Sequence, residues 1–201
     1  MLLLNVPYLP QNFEFDCWYA SLRMLVKYRH GPHVEPIGHP TAELEGMMRD
    51  SARSFIKENA IRNGLHPASY GIRKQLSAIA PRGLKQAEFT ELAAYNGLVA
   101  PMLPTPYQSQ TQTGGFSVWQ LESLMRVHGP LWCAFGYGHI VVAKGIDMHD
   151  NVMVHDPQGQ ADELYPIQNF NSLLTWQPNC VMFLRHGHIR QPNLVLRLRG
   201  G

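Results

Sequence analysis

The feature that most constrains the fold is a change of pattern along the chain, on either side of a Pro-, Gln-, Thr- and Gly-rich loop at residues 101–115. Before this loop the apolar residues recur mainly at helical spacing, and beyond residue 130 they form short runs rich in valine and aromatic residues. The first pattern predicts amphipathic helices, and the second predicts buried strands. Helices followed by strands are typical of an α+β domain, here with the helices packed on an antiparallel sheet.

Prolines and helix-capping residues indicate where these elements begin. Residues 5–16 form an extended entry segment, since two prolines block a helix, and Asp16 is a suitable N-cap for a helix that begins at Cys17. Ser117 and Gln120 have the spacing of a capping box at the start of a later helix. The predicted helices are 17–30, 41–61, 70–79, 89–95 and 117–128, and the predicted strands are 131–137, 140–146, 151–155 and 180–184.

The length of 201 residues suits one domain of ordinary size. We expect residues 1–190 to form this domain, with a helical half at about 1–128 and a sheet half at about 129–190. Residues 191–201 are expected to form an extended C-terminal tail.

Composition and charge argue against several classes of function. Lys and Arg (17) nearly balance Asp and Glu (15), so the net charge of +2 gives no general attraction to nucleic acid. No apolar run approaches the ~20 residues that a membrane-spanning helix needs. Leu2, Leu3 and Leu4 lack a preceding basic region and are followed at once by Asn5, which argues against a Sec signal peptide. The location of the protein stays open.

The three cysteines differ in their surroundings. Their odd number, wide spacing and lack of a CxxC motif argue against a disulfide scaffold, a thioredoxin-like site and a zinc knuckle. Cys133 and Cys180 lie in apolar, strand-like runs and are predicted to be core residues. Cys17 falls in the first turn of a helix, where the positive end of the helix dipole favours a thiolate. It is therefore the candidate nucleophile.

A thiolate nucleophile needs a base and a group that orients the base. His139 is the candidate base, because a polar residue at the head of the apolar strand 140–146 requires a reason. Asp156 ends the next predicted strand. A short turn near residues 147–151 would make the two strands antiparallel neighbours and bring these ends together. The pattern is the nucleophile, base and orienter arrangement of thiol hydrolases.

An oxyanion donor would complete this site. Gln11, six residues before Cys17, can supply a side-chain amide. The orienting carboxylate has rivals in sequence, since Asp147, Asp150 and Asn151 lie close to Asp156. The choice between them stays open at this point.

Ten histidines raise the question of a metal site. His30, His33 and His39 lie in a Gly- and Pro-rich stretch, and His186 and His188 flank a glycine. None has the spacing of a HExxH motif or of a Cys/His zinc site. Phosphate-loop and dinucleotide-binding fingerprints are absent too. We therefore predict neither a metal nor a cofactor.

The candidate residues lie in five short segments: Val6-Pro7-Tyr8-Leu9-Pro10-Gln11, Cys17-Trp18-Tyr19-Ala20, Gly138-His139-Ile140-Val141-Val142, Gly145-Ile146-Asp147 and His155-Asp156-Pro157. In this order the segments resemble papain-like cysteine peptidases, in particular the branch of AvrRpt2-type bacterial effectors and C39-like peptidases. The resemblance implies a papain-like fold and hydrolysis of a polypeptide substrate. It does not reach residues 31–115, so it implies no substrate preference.

The resemblance also assigns roles. It implies that Gln11 is the oxyanion residue and that Cys17 is the nucleophile. It implies that His139 is the base and that Asp156 is the orienting carboxylate. A further implication is a role as a bacterial effector or toxin protease, secreted by a dedicated bacterial system.

The last eight residues, Leu194-Val195-Leu196-Arg197-Leu198-Arg199-Gly200-Gly201, resemble the C-terminal tail of ubiquitin. Apolar and basic side chains alternate in this segment, which suits addition to the edge of a sheet. The two final glycines lack a Cβ and could pass through a narrow channel to a nucleophile. Three interpretations stay open: the tail docks in a groove of its own or a neighbouring molecule, it is a conjugation or processing signal, or it is an engineered appendage. A terminus without a role is the fourth. The arginines of the tail would favour an acidic groove.

Two functions other than hydrolysis also stay open. The same triad could transfer the acyl group to an amine, which would make the protein an acyl transferase or a deconjugase acting on ubiquitin-like Gly-Gly tails. Alternatively, Cys17 is a small buried side chain, as cysteines on amphipathic helices usually are, and the protein is a binding module without activity. The binding module predicts that Cys17→Ala changes stability alone.

Overall fold

The computed structural model of the protein contains a seven-stranded antiparallel sheet with helices packed on both faces. It describes residues 1–11, 17–36, 61–63, 93, 96–108, 114–136, 138–177 and 179–185. The predicted helices 41–61, 70–79 and 89–95 lie outside the described residues, except for Ile61 and Ala93. Asp16 and the tail at 191–201 lie outside them as well.

The elements are numbered here in chain order within the described residues. The strands are β1 (Leu2–Leu3), β2 (Leu98–Val99), β3 (Leu131–Phe135), β4 (His139–Ile146), β5 (Asn151–His155), β6 (Glu163–Pro166) and β7 (Val181–Leu184). The helices are α1 (Cys17–His30), α2 (Val118–His128) and α3 (Ile167–Leu173). The strand order across the sheet is β2-β7-β3-β4-β5-β6, and β1 pairs with the last residues of β4.

The α+β class predicted from the sequence is confirmed. Strands β3, β4, β5 and β7 fall on the four predicted apolar runs, although β3 ends at Phe135 and β4 already begins at His139. The first half of the chain is not wholly helical, because β1 and β2 come from it and join the sheet. The short elements β1, β2, β6 and α3 were not predicted.

Helix α1 packs on one face of the sheet. Its apolar side chains Trp18, Leu22 and Leu25 belong to a buried cluster with residues of β3, β4 and β7. Two hydrogen bonds fix the contact: the Ser21 hydroxyl donates to the Ile140 carbonyl (3.2 Å), and the Trp132 indole donates to the Trp18 carbonyl (3.4 Å). The first turn of α1 is thereby held beside the first residues of β4.

Helix α2 covers the opposite face. Leu121 and Met125 are fully buried there, in the cluster that also contains Cys133 and Val141. The predicted capping box is present, since the Ser117 hydroxyl accepts from the Gln120 backbone N–H and the Gln120 side chain accepts from the Ser117 N–H.

A tight turn connects β3 to β4. The Gly138 N–H donates to the Phe135 carbonyl (3.0 Å), and Gly138 has a φ of +79°. This backbone conformation favours glycine over residues with a Cβ. The turn therefore places His139 at the very start of β4, opposite Phe135 of β3.

Candidate active site

Cys17 is the first residue of α1 and is 7% exposed. The first backbone N–H groups of a helix lack intrahelical partners and carry the positive end of the helix dipole. The sulfur therefore lies where negative charge is stabilised. This position agrees with the prediction made for Cys17 from the sequence.

His139 lies between Cys17 and a carboxylate. Its Nε2–H donates to Asp156 Oδ1 at 2.6 Å. The Cys17 side chain lies close enough to the imidazole to raise the pKa of His139. Both His139 and Asp156 are largely buried, with 6% and 13% of their side chains exposed. The structure thus brings together three of the four predicted site residues.

The pKa of His139 depends on two opposed effects, burial of the imidazole and the presence of Asp156 and Cys17 beside it. Burial alone would lower this pKa, but the hydrogen bonds with Asp156 and Cys17 and the charges of these groups raise it to about 9. Burial would raise the pKa of Asp156, yet hydrogen bonds from His139 and from backbone N–H groups bring it below its ordinary value. At neutral pH the imidazole is therefore protonated and the carboxylate is ionised.

The Asp156 carboxylate is held by backbone N–H groups of the loop that follows it. Asp156 Oδ1 also accepts from the backbone N–H groups of Gln158 (2.8 Å) and Gly159 (3.1 Å). A Cβ at Gly159 would lie 2.5 Å from a Glu163 carboxylate oxygen and 3.3 Å from the Asp156 carboxylate carbon. A side chain at this position would therefore displace the Glu163 carboxylate. We call residues 155–159 the Asp156 segment.

Residues 6–11, here called the N-terminal strap, run along the Asp156 segment. The Tyr8 hydroxyl donates to the carbonyls of Asp156 (3.1 Å) and Gly159 (3.2 Å), and the Gln11 N–H donates to the Pro157 carbonyl (2.8 Å). The backbone of Gln11 therefore lies beside the loop that carries the carboxylate. The Oε1 atom of the Gln11 side chain is buried.

The rival acidic residues have a different environment. Asp147 accepts hydrogen bonds from His149 and Asn151 inside the turn between β4 and β5, and Asp150 adopts a φ of +62° in the same turn. The contacts of Asp147 stabilise the turn, whereas the contact with His139 is made by Asp156.

Cys133 and Cys180 are buried in the core, and burial raises the pKa of both thiols. None of the three cysteines forms a disulfide. Within the described residues, no three His, Cys, Asp or Glu side chains form a group suited to a metal ion. His39, His186 and His188 lie outside the described residues.

Three residues whose hydrogen bonds join distant parts of the chain near the site were not predicted from the sequence: Ser21, Tyr8 and His155. Each makes a hydrogen bond to a backbone carbonyl more than 100 positions away. The one available signal was a histidine directly before the candidate carboxylate, at the end of an otherwise apolar strand. His155 is 2% exposed, and such a buried polar side chain needs hydrogen-bond partners.

A thiol at a helix N-terminus, a protonated imidazole beside it and a buried carboxylate behind the imidazole define the class of thiol hydrolases. On this fold, the class is that of papain-like cysteine peptidases. Residues 2–175 match the family described as "Papain-like cysteine protease AvrRpt2", and the chain belongs to this family.

Two solved structures are similar to this chain, and the first of them supports the same fold. A putative C39-like peptidase from Bacillus anthracis is 15% identical, with a TM-score of 0.50 over 93% of this chain and 98% of that chain. A double glycine motif protease from an AMS/PCAT transporter, solved with its leader peptide, is 16% identical, with a TM-score of 0.45 over 90% and 91% of the two chains. A search of curated proteins gave no match.

None of the helices in the described parts of the chain is both long and apolar enough to span a membrane.

Proposed function

We propose that this cysteine peptidase hydrolyses peptide bonds with Cys17 as nucleophile, His139 as acid and base, Asp156 as the carboxylate that orients His139, and Gln11 as an oxyanion donor. The observation that supports the proposal most directly is the 2.6 Å hydrogen bond between His139 and Asp156, with Cys17 near enough to raise the pKa of His139. The first turn of α1 and the buried carboxylate favour charge separation between sulfur and imidazole.

The first half of the reaction is acylation. The Cys17 thiolate attacks the scissile carbonyl carbon, a C–S bond forms, and the carbonyl oxygen becomes an oxyanion that accepts from the Gln11 side-chain amide and the Cys17 backbone N–H. The His139 imidazolium then gives its proton to the leaving amine nitrogen as the C–N bond breaks. A thioester and a neutral imidazole remain.

The second half regenerates the enzyme. His139 takes a proton from a water molecule, whose oxygen attacks the thioester carbonyl carbon. The C–S bond breaks, the carboxylic acid product leaves, and the thiolate and imidazolium are restored. Analysis of the products with an added amine separates this reaction from acyl transfer: hydrolysis predicts the free carboxylate as the main product.

The test is the alkylation rate of each cysteine by iodoacetamide between pH 5 and 9, followed by mass spectrometry. We expect Cys17 to react at pH 6 at least about 10-fold faster than Cys133 and Cys180, since only a thiolate is nucleophilic. The substitution His139→Ala should remove this advantage.

A matched control is His149→Ala, because His149 is an exposed histidine in the turn between β4 and β5. It should leave the rate at Cys17 unchanged. A slow rate at Cys17 that His139→Ala does not alter would contradict the proposal.

The assignment of Asp156 has its own test. Asp156→Asn keeps the shape of the side chain but removes the charge that holds the His139 imidazolium. We expect the pKa of His139, followed by NMR of its ring protons, to fall toward its ordinary value, and peptide hydrolysis to fall at least about 10-fold. Asp147→Asn, in the neighbouring turn, is the control, and equal effects of the two substitutions would contradict the assignment.

The biological part of the proposal is a role as a bacterial effector or toxin acting on a polypeptide of a host or competitor. Its support is membership of the AvrRpt2 family. Expression of the wild type and of Cys17→Ala in eukaryotic and bacterial cells tests it. Growth inhibition that requires Cys17 is expected, and equal growth with both proteins would contradict it.

A further inference from the structure

His155 joins the N-terminal strap to the Asp156 segment. Its Nε2–H donates to the Val6 carbonyl (3.0 Å), and its Nδ1 accepts from the Asp162 backbone N–H (3.2 Å). The edge of the Tyr8 ring packs against the imidazole at a centroid distance of 5.4 Å. Both ring nitrogens are thus used, one toward the strap and one toward the turn that precedes β6.

The strap is aligned with the Asp156 segment contact by contact. Val6 is held by His155, Tyr8 by Asp156 and Gln11 by Pro157. Val6, Tyr8 and Gln11 therefore meet His155, Asp156 and Pro157 in the same chain order, and Tyr8 also reaches Gly159. The contact at His155 is the first of the series, and it is the most deeply buried.

We propose that His155 is a positioning residue, which fixes the strap and thereby keeps Gln11 in place relative to the catalytic pair. This inference rests on the proposed function of Gln11 as oxyanion donor. It does not alter the roles of Cys17, His139 and Asp156.

Only the neutral imidazole with its proton on Nε2 fits these partners. A second proton on Nδ1 would point at the Asp162 N–H, so two donors would face each other. Burial lowers the pKa of His155, and the nearby Lys144 lowers it further, against the opposite effects of the Val6 carbonyl and the Asp162 carboxylate. The Tyr8 hydroxyl is directed to the Asp156 and Gly159 carbonyls instead. His155 is therefore a neutral residue at neutral pH.

The test compares two reactions of the Cys17 thiolate in the full chain. With p-nitrophenyl acetate, the sulfur attacks the acetyl carbon, an oxyanion forms, and p-nitrophenolate leaves. With iodoacetamide, the sulfur displaces iodide and no oxyanion forms. Only the first reaction benefits from an oxyanion donor. The ratio of the acylation rate to the alkylation rate therefore reports on Gln11.

His155→Leu removes both hydrogen bonds of the imidazole. We expect the ratio to fall about 10-fold, a part of the loss known for removal of an oxyanion donor, with little change in the alkylation rate. His155→Gln, which keeps an N–H donor, should restore much of the ratio, and the exposed control His149→Leu should leave it unchanged. Equal falls in both rates with His155→Leu would overturn the proposal, because they would mean a general loss of structure.

The double variant with Gln11→Ala and His155→Leu tests whether His155 acts through Gln11. If His155 acts through Gln11, His155→Leu should lower the ratio no further in a Gln11→Ala background, whereas independent effects would multiply. Multiplying effects would overturn the proposal.

Amide hydrogen exchange tests the positioning without any chemistry at Cys17. The Gln11 N–H donates to the Pro157 carbonyl, and it should exchange about 10-fold faster in His155→Leu if the strap is released. Unchanged exchange would overturn the proposal. A failure of the proposed function would be seen separately, in the wild type, as alkylation of Cys17 that is indifferent to His139→Ala.

Discussion

His139 is subject to two opposed influences that act on the same side chain. Its burial disfavours the positive charge, while the carboxylate at 2.6 Å and the sulfur favour it, and the second influence is the stronger, with a pKa of about 9. A buried charge is tolerated only when it is paired and hydrogen-bonded. The backbone N–H groups that hold Asp156 are therefore part of what keeps the imidazolium in place.

The raised pKa of His139 predicts that the free energy of unfolding depends on pH. The pKa of His139 is near 6.5 in the unfolded chain and about 9 in the folded one. Its stabilising contribution is therefore fully present below pH 6.5 and is lost as the pH rises toward 9, with a total of up to about 3 kcal/mol. Urea unfolding at several pH values should show that the difference between wild type and His139→Gln shrinks over this range.

The exposed histidine provides the control for this experiment. His149→Gln, a substitution at an exposed site, should change the free energy of unfolding only slightly. A difference for His139→Gln that is constant from pH 6 to pH 9.5 would contradict the assignment of a raised pKa.

The sequence was informative about those residues whose context is local. Cys17 was recognised from the helix that follows it, and His139 from the apolar strand behind it. Asp156 could be separated from Asp147 only by the structure, since both lie near strand ends. Tyr8 could not be found, because its partners are backbone carbonyls, which every residue has.

At the scale of elements, the site depends on the contact between α1 and β4. Cys17 and Ser21 lie one turn apart on the same face of α1, and His139 and Ile140 are adjacent at the start of β4. The hydrogen bond from Ser21 to Ile140 therefore fixes the distance at which the sulfur faces the imidazole. A displacement of the helix by a fraction of a turn would separate the pair.

Ser21→Ala tests this contact. Loss of the buried hydroxyl should lower the free energy of unfolding by about 1–2 kcal/mol and slow the alkylation of Cys17 several-fold at pH 6. Urea unfolding and iodoacetamide labelling measure the two effects. Ser123→Ala, the same change on α2, should leave the labelling rate unaltered, and a normal rate in Ser21→Ala would contradict the role given to Ser21.

Elements with long apolar runs were predictable and short ones were not. Strands β3, β4, β5 and β7 are buried and carry such runs. Strands β1 and β2 have two residues each, and α3 has seven, which is too few for a periodic pattern to develop. Strand β6 alternates between half-buried and exposed residues, and it forms because β5 offers it an edge.

At the scale of the whole molecule, one sheet separates two apolar clusters. Neighbouring residues of β3 belong to different clusters, Trp132 to the one under α1 and Cys133 to the one under α2. Side chains alternate between the faces of a strand. The two clusters therefore share the same strands, and neither can lose its order without affecting the other.

This sharing predicts a single unfolding transition. Leu22→Ala, under α1, and Leu121→Ala, under α2, remove fully buried side chains and should each cost about 2–5 kcal/mol. Tryptophan fluorescence and far-UV circular dichroism should give the same midpoint in urea for each variant. Separate midpoints would contradict the picture of one cooperative unit.

The hydrogen bonds that surround the proposed site join distant parts of the chain: Ser21 to Ile140 spans 119 positions, and His155 to Val6 spans 149. During synthesis, the ribosome therefore makes Cys17 long before His139 and Asp156, the residues proposed to act with it. The proposed site can assemble only after the Asp156 segment has been translated and has folded back onto the N-terminal strap.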